Sequence, residues 1–317
     1  MGSSVQPSRP AALRVVVAFA LVYVIWGSTY LTIHLSIESM PPFLMAAARF
    51  VLAGLLVLAW QLRPGRPGRE RLTWQQWRSA AIIGACLLLG GNGIVTWGEQ
   101  YVGTGYMSLI VATVPLWMAL FAPLYGGRRV GPLAATGVAV GLAGTGLLLH
   151  PSGAFHWQSV AVIASPLLWA NGSLYAQRAA LPRSALTATG MEMVAGGLLL
   201  GVASAAGGEL GHVHLGAVTL TSWLAFGYLI VFGSLVGYTA YVWLLSNVSI
   251  TAVSTYAYVN PLVAVLLGAL FLGEQITGIT LIAGALIIVA VAAILTSRGR
   301  AAQQRRYRTQ PQVTKVA

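Results

Sequence analysis

The chain contains no aspartate, one lysine and one cysteine. Only 8% of its 317 residues are charged, 57% are hydrophobic, and the mean hydropathy is +0.78. A soluble domain carries about 25% charged residues, so this scarcity excludes one and leaves a polytopic membrane protein. Without aspartate no aspartyl pair can form, and no His-Glu-x-x-His motif is present. The usual intramembrane hydrolases therefore lack their residues, and no enzyme is expected. The phosphate-binding Gly-Lys-Ser/Thr loop is missing as well, which removes ATP as an energy source. Cys86, alone in an apolar run, excludes an intramolecular disulfide. His212 and His214 stand without thiol or carboxylate company, so neither a metal nor a cofactor is expected. The isoelectric point near 10.4 comes from arginines between apolar runs. Arginines so placed set membrane topology, so the expected partner is a lipid bilayer and not nucleic acid.

What is present is hydrophobic length. A hydrocarbon core ~30 Å thick needs ~20 helical residues. Ten stretches qualify as spans: 14–34, 42–61, 79–97, 102–125, 130–149, 157–176, 185–206, 220–245, 250–272 and 276–296. Residues 1–13 read as a polar tail before a retained first span, and 297–317 as a basic tail. With the N-terminus inside, 17 of the 18 basic residues fall in inside segments and none in outside connections. That asymmetry places both termini in the cytoplasm.

The chain also repeats itself. Pro115 and Pro261 are 146 residues apart, Gly137 and Gly284 are 147 apart, and Trp26 and Trp169 are 143 apart. Residues 14–149 and 157–296 are thus two copies of one five-span unit. An odd number of spans inverts the second copy, as in transporters that expose a central site alternately to the two sides. The expected fold is an all-α integral membrane protein of ten transmembrane helices in two inverted five-helix repeats.

Polar residues within spans mark candidate sites. Arg49 and Glu192, repeat mates in spans 2 and 7, are the two clear ionisable groups inside spans. Each lies ~10 Å deep at ~1.5 Å per residue. Two readings are open: separate structural charges, or a substrate or proton-coupling role. Pro115 and Pro261 are expected to break spans 4 and 9, freeing backbone carbonyls. Asn92, in a run of three glycines, Asn171 and Asn260 can line a cavity or join helices. Trp26, Tyr30, Trp169, Tyr238, Tyr256 and Tyr258 are candidate substrate contacts, whereas Trp60, Trp97, Tyr101 and Tyr125 read as interfacial belt. Glu99 reads as a solvated carboxylate at the membrane interface. Glu38, Glu209 and Glu274 read as loop charges. The expected site is one midplane cavity lined by spans 1, 3, 4, 6, 8 and 9.

The stretches WGSTYLTIHLSIESMPPFLMAAARFVLAG, GNGIVTWGEQYV, VATVPLW, MEMVAGG and TYAYVNPLVAVLLGALFLGE, in this order, resemble the EamA-type permeases of the drug/metabolite transporter superfamily. They are most similar to its YedA-like exporter branch. The resemblance spans roughly residues 14 to 296. It implies a ten-span fold of two EamA repeats around a central cavity, in a bacterial inner membrane, exporting small metabolites (amino-acid-like compounds) or drugs by alternating access. The family's Gly-Glu turn matches Gly273-Glu274, but the first half has Gly126-Gly127 there. Coupling is to protons or another ion, or to the substrate gradient alone. Alternatives are an uptake permease or facilitative carrier of the same fold, or a channel or membrane-embedded sensor. The sequence carries no selectivity ring of the kind a channel displays. It is silent on substrate identity and oligomeric state.

Overall fold

The computed structural model describes residues 12–66, 68, 70–126, 131–149, 157–248, 250–253 and 255–309. The N-terminal tail through residue 11, the basic turn 127–130 and residues 310–317 lie outside them. The described residues form helices and connections, with no strand. In chain order the α-helices are α1 (Ala12–Ile37), α2 (Pro42–Gln61), α3 (Trp74–Gly84), α4 (Ile94–Gly98), α5 (Thr104–Val111), α6 (Val114–Phe121), α7 (Pro132–Leu149) and α8 (Trp157–Ala161). They continue with α9 (Ala164–Ala176), α10 (Ala185–Ala206), α11 (Leu220–Tyr228), α12 (Gly237–Asn247), α13 (Ile250–Val253), α14 (Tyr256–Leu272) and α15 (Gly278–Thr309). Two π-helical segments, Ala85–Gly93 and Leu229–Val236, join α3 to α4 and α11 to α12.

Among the described residues seven helices are long and apolar enough to cross a membrane: Ala12–Ile37, Pro42–Gln61, Trp74–Gly98, Thr104–Tyr125, Ala185–Ala206, Leu220–Leu245 and Gly278–Thr296. Pro132–Leu147 and Tyr256–Leu272 are shorter apolar helices, and 157–176 is divided between α8 and α9.

Two interruptions fall near prolines, though not where proline alone would put them. The chain leaves the α-helix at Ala112 and Thr113, so Pro115 sits in the first turn of α6, where its missing N–H costs nothing. Pro261 does not break its helix. It lies inside continuous α14, and the interruption comes at Thr255, just before that helix begins. Proline removes one helical hydrogen bond and crowds the carbonyl four residues back. Six residues into a helix, that crowding is relieved at the nearby free end and not at the proline itself.

Close packing needs small residues. A Cβ on Gly54 would lie 2.8 Å from the Gly190 carbonyl, and one on Gly197 would lie 2.9 Å from Val51 N, so α2 and α10 run with backbones nearly touching. Gly137 and Gly144 do the same for α7 against α15. A Cβ on Gly201, by contrast, would meet only Ala47, at 3.9 Å.

Candidate transport site and its carboxylates

The first π-helical segment begins at Ala85 and the second at Leu229, 144 residues later. A π turn inserts a residue and leaves carbonyls off the regular ladder, which is why such turns concentrate at functional sites. Both segments accept side chains from the other half of the chain. In the second, Gly233 O accepts from Trp26 Nε1 at 3.3 Å, and Ser234 Oγ accepts from Arg49 Nε at 3.0 Å. In the first, Gly91 O accepts from Ser165 Oγ at 3.0 Å, and a Cβ on Gly91 would lie 2.6 Å from the Trp169 ring. Trp26 and Trp169 thus each rest on the π segment of the opposite half.

The aromatic candidates divide. Trp26 is surrounded by Tyr238, Tyr241 and Tyr256, with ring centroids 5.3, 5.1 and 5.3 Å away, and Tyr241 meets Tyr256 at 5.9 Å. Edge-on contacts dominate, the geometry that aromatic quadrupoles prefer. Tyr241 belongs to this cluster though it was not among the expected contacts. Its position three residues after Tyr238 puts both on one helix face, and that spacing was the available signal. Tyr30 and Tyr258 instead pack against a second cluster that includes Met107, Leu109 and Ile110. Trp169 makes no ring contact with the Trp26 group.

The polar candidates divide in the same way. Asn171 joins helices: its Nδ2 donates to Leu167 O at 2.9 Å and its Oδ1 accepts from Tyr125 OH at 3.3 Å. Asn92 Oδ1 and Asn260 Oδ1 are buried without a hydrogen-bond partner. Buried amide oxygens are costly to leave bare, so these two carry the polar capacity available to a guest molecule or water. Arg49 is 4% exposed, held by Ser234 and by the Phe50 ring at 4.7 Å. No ion pair within 4.0 Å joins it to Glu192 among the described residues. Trp60, assigned to the belt, is 57% exposed, with the Arg63 guanidinium 4.0 Å over its ring.

Three glutamates do work that loop placement conceals. Pro41 offers no capping side chain to α2, and Glu209 takes its place: Oε1 accepts from Phe43 N at 3.2 Å and Oε2 from Leu44 N at 2.9 Å. Ser204 Oγ donates to the same carboxylate at 2.8 Å. Glu70 accepts from Arg183 N and Ser184 N, both at 3.1 Å, where α10 begins. Gly103 cannot cap α5, and Glu274 accepts from Thr104 N at 2.5 Å and Gly105 N at 3.0 Å. A helix N-terminus carries unpaired N–H groups and partial positive charge, so Glu209 and Glu274 meet both needs, while Glu70 fixes the turn that leads into α10, whose own cap is Ser184. Glu209 and Glu274 are therefore helix caps and not free loop charges.

Glu99 departs furthest from expectation. It is 2% exposed, and neither carboxylate oxygen has a hydrogen-bond partner. It follows the Trp74–Gly98 span directly. Burial, and then the neighbouring Glu274 charge, hold its carboxyl well above the usual carboxylate range. The His34 backbone N–H opposes that shift without reaching hydrogen-bonding geometry. The interface at this point is covered by Tyr30 and His34 of α1 and by the Glu274 turn, which is why a position between two spans is dry.

Away from these residues, a crevice of about 450 Å³ opens at the beginning of α10, lined by Gln61, Arg66, Gly68, Glu70, Arg183, Ser184 and Thr187. Among the described residues no group of three or more His, Cys, Asp or Glu side chains could hold a metal ion.

Comparison with known proteins gives a consistent picture. The family model described as the EamA-like transporter family matches residues 13–150 and again 156–296. The chain is 41% identical over 290 residues to the "uncharacterized inner membrane transporter YedA" of Escherichia coli strain K12, covering 89% of this chain and 90% of that one. It is 23% identical to the "uncharacterized transporter YvbV" of Bacillus subtilis strain 168, covering 91% and 93%. A protein of known crystal structure superposes with a TM-score of 0.62 at 21% identity, covering 92% of this chain and all of the other, which bears on fold alone.

Proposed function

We propose, from the premise that the chain belongs to the EamA-like transporter family, that this membrane transporter exports small amino-acid-like metabolites or drugs across a bacterial inner membrane by alternating access. The observation that carries the reading is the reciprocity of the two halves. The family model matches twice, and π segments recur 144 residues apart. Trp26 and Trp169 each seat on the segment of the other half. Glu70 of the first half holds the backbone just before α10 of the second, and Glu209 of the second caps α2 of the first. These relations favour ten spans in two inverted five-span repeats, with both termini cytoplasmic.

Substrate meets Trp26, Tyr238 and Tyr256 with the polar atoms of Asn92 and Asn260, and Tyr30, Trp169 and Tyr258 complete the walls. Apolar walls with few polar groups suit a small, partly aromatic or aliphatic molecule. Asn171 serves as a structural member at the edge. Arg49 and Glu192 are the coupling pair within the spans, acting separately. A thermal-shift screen of purified protein against amino acids, nucleobases and cationic drugs identifies a ligand, since anything that binds the folded state raises its stability. Saturable counterflow of that ligand in proteoliposomes then separates a carrier from a channel. Flux proportional to concentration, without counterflow, refutes the carrier.

A further inference from the structure

The end of the molecule around Glu99 and Glu274 is built from two carboxylates in opposite circumstances. Glu274 sits where a carboxylate is wanted. Two backbone N–H groups of α5 donate to it, and Gly103, Gly105 and Gly268 make room for it. A Cβ on Gly268 would lie 2.6 Å from Glu274 Oε2 and 2.5 Å from Thr104 Oγ1, and a Cβ on Gly103 would lie 2.9 Å from its Cδ. That cradle holds its carboxylate in position. Glu99 has none of this. It is buried, both oxygens lack a donor, and its electrostatic neighbour is the Glu274 carboxylate.

An ionised carboxylate taken out of water without a donor costs several kcal/mol, and a second negative charge beside it adds to the cost. The groups around Glu99 do not lift that penalty. Tyr30 and His34 face it from α1 and Glu274 from the turn after α14, while Tyr106 is the titratable residue of α5. No lysine or arginine forms an ion pair with it among the described residues. Closed packing here thus demands a proton on Glu99, and losing the proton demands water.

We propose that Glu99 is a proton-binding site, and that protonation of Glu99 is what allows the Glu274-capped end of the bundle to close. The proposal rests on the transporter reading above only for its consequence. If that end faces outward, an external proton taken up by Glu99 seals the outer side, and its release inside drives reopening. The binding step is association of one proton with a carboxylate oxygen, neutralising one charge, with no bond broken elsewhere. Glu192, the acid within a span, is separate from this site.

The test begins with the wild-type protein. The chain has no aspartate, so six glutamates and the terminal carboxyl are the only sources of a carboxylic-acid carbonyl band in the infrared. In proteoliposomes at neutral pH the wild-type spectrum minus that of Glu99→Gln should retain the band of a protonated acid, and the same difference should appear in a Glu192→Gln background. Closure is read separately. Ser36, fully buried near the end of α1, is replaced by cysteine in a Cys86→Ala background, and labelling by a membrane-impermeant maleimide is followed against pH. The labelling rate with Glu99, divided by that with Glu99→Gln to remove the thiol's own titration, should rise by about tenfold per pH unit where the carboxyl titrates, the slope of one linked proton. A band unchanged in Glu99→Gln overturns the proton site. A pH-independent rate ratio overturns the closure. Neither measurement uses a substrate, so absence of counterflow would refute the transporter reading and leave this inference standing. Counterflow with a failed band assignment would do the reverse.

Discussion

At the scale of single residues, the informative side chains are those whose surroundings contradict their chemistry. Trp26 is held by three tyrosine rings and by Gly233 O, while Trp60 lies on the surface under Arg63. Trp26→Ala, Trp169→Ala or Tyr258→Ala should therefore weaken binding of a ligand found by screening. The expected loss is about 1 kcal/mol or more where ring contacts to the ligand disappear, against no change for Trp60→Ala. Titration calorimetry in detergent checks this, and equal losses at all four positions would mean that general packing had been disturbed instead. Glu99 makes a prediction of the opposite kind, about stability. Its folded-state carboxyl lies above the ordinary value of about 4.3, so the folded chain holds a proton that the unfolded chain releases. Stability from this group is complete below the ordinary value and declines as pH rises toward the raised one. Thermal midpoints in detergent should fall over that interval for the wild type, and the fall should be shallower in Glu99→Gln. Equal slopes in the two proteins would show that other groups govern the pH dependence. Tyr30, His34 and Glu274, which face Glu99, are present in both proteins, so the comparison isolates it.

Helices and their connections are where the sequence was most and least readable. The apolar runs 42–61 and 185–206 coincide with α2 and α10 to the residue, because each is bounded by proline or serine and polar loops. The interruptions at Ala112–Thr113 and Val162–Ile163 each stand just before a proline, Pro115 and Pro166, so proline signalled them without fixing the residues at which the helix is left. The caps were invisible: Glu209 lies 166 residues from Phe43, and a capping rule read along the chain looks only three residues away. Charge scarcity held a clue, since a protein that spends so few acids places them where backbone N–H groups need partners. Glu209→Ala should cost about 1–2 kcal/mol by stranding two backbone donors of α2, and Ser204 loses its acceptor as well. Glu209→Gln, retaining one acceptor oxygen, should fall between. Gly268→Ala should resemble loss of the Glu274 cap, because the new methyl competes with the carboxylate for the same space. Thermal unfolding of the purified variants measures each, and a wild-type midpoint for Gly268→Ala would show that the Glu274 cradle tolerates displacement.

For the whole molecule, spacing predicts a repeat, and the family model matches twice, but which helices meet was not legible. Equal offsets between Trp26 and Trp169 say that two positions correspond, not that each lands on the opposite half. The pairing follows from π segments and glycines, whose effect appears only once backbones approach. The hydrogen bonds of Glu70 and Glu209 across the two halves bear directly on orientation. Glu209 lies in the 207–219 connection and caps the start of α2, so that connection and the α1–α2 turn share one face of the membrane. Glu70 and the start of α10 share a face by the same argument. Arg63, Arg66, Arg69 and Arg71 accompany Glu70 in the 62–73 connection, whereas 207–219 contains no lysine or arginine. Positive charge is retained on the cytoplasmic side, so we expect the Glu70 face to be cytoplasmic and the Glu209 face external. Single cysteines placed in 207–219 of a Cys86→Ala background should accordingly be labelled by an impermeant maleimide in intact cells, those in 62–73 only after lysis, and a reporter fused after Ala317 should be active in the cytoplasm. Because these hydrogen bonds tie the connections in pairs, labelling of 62–73 from outside would invert the molecule as a whole. Labelling of both connections from the same side would break the inverted repeat itself.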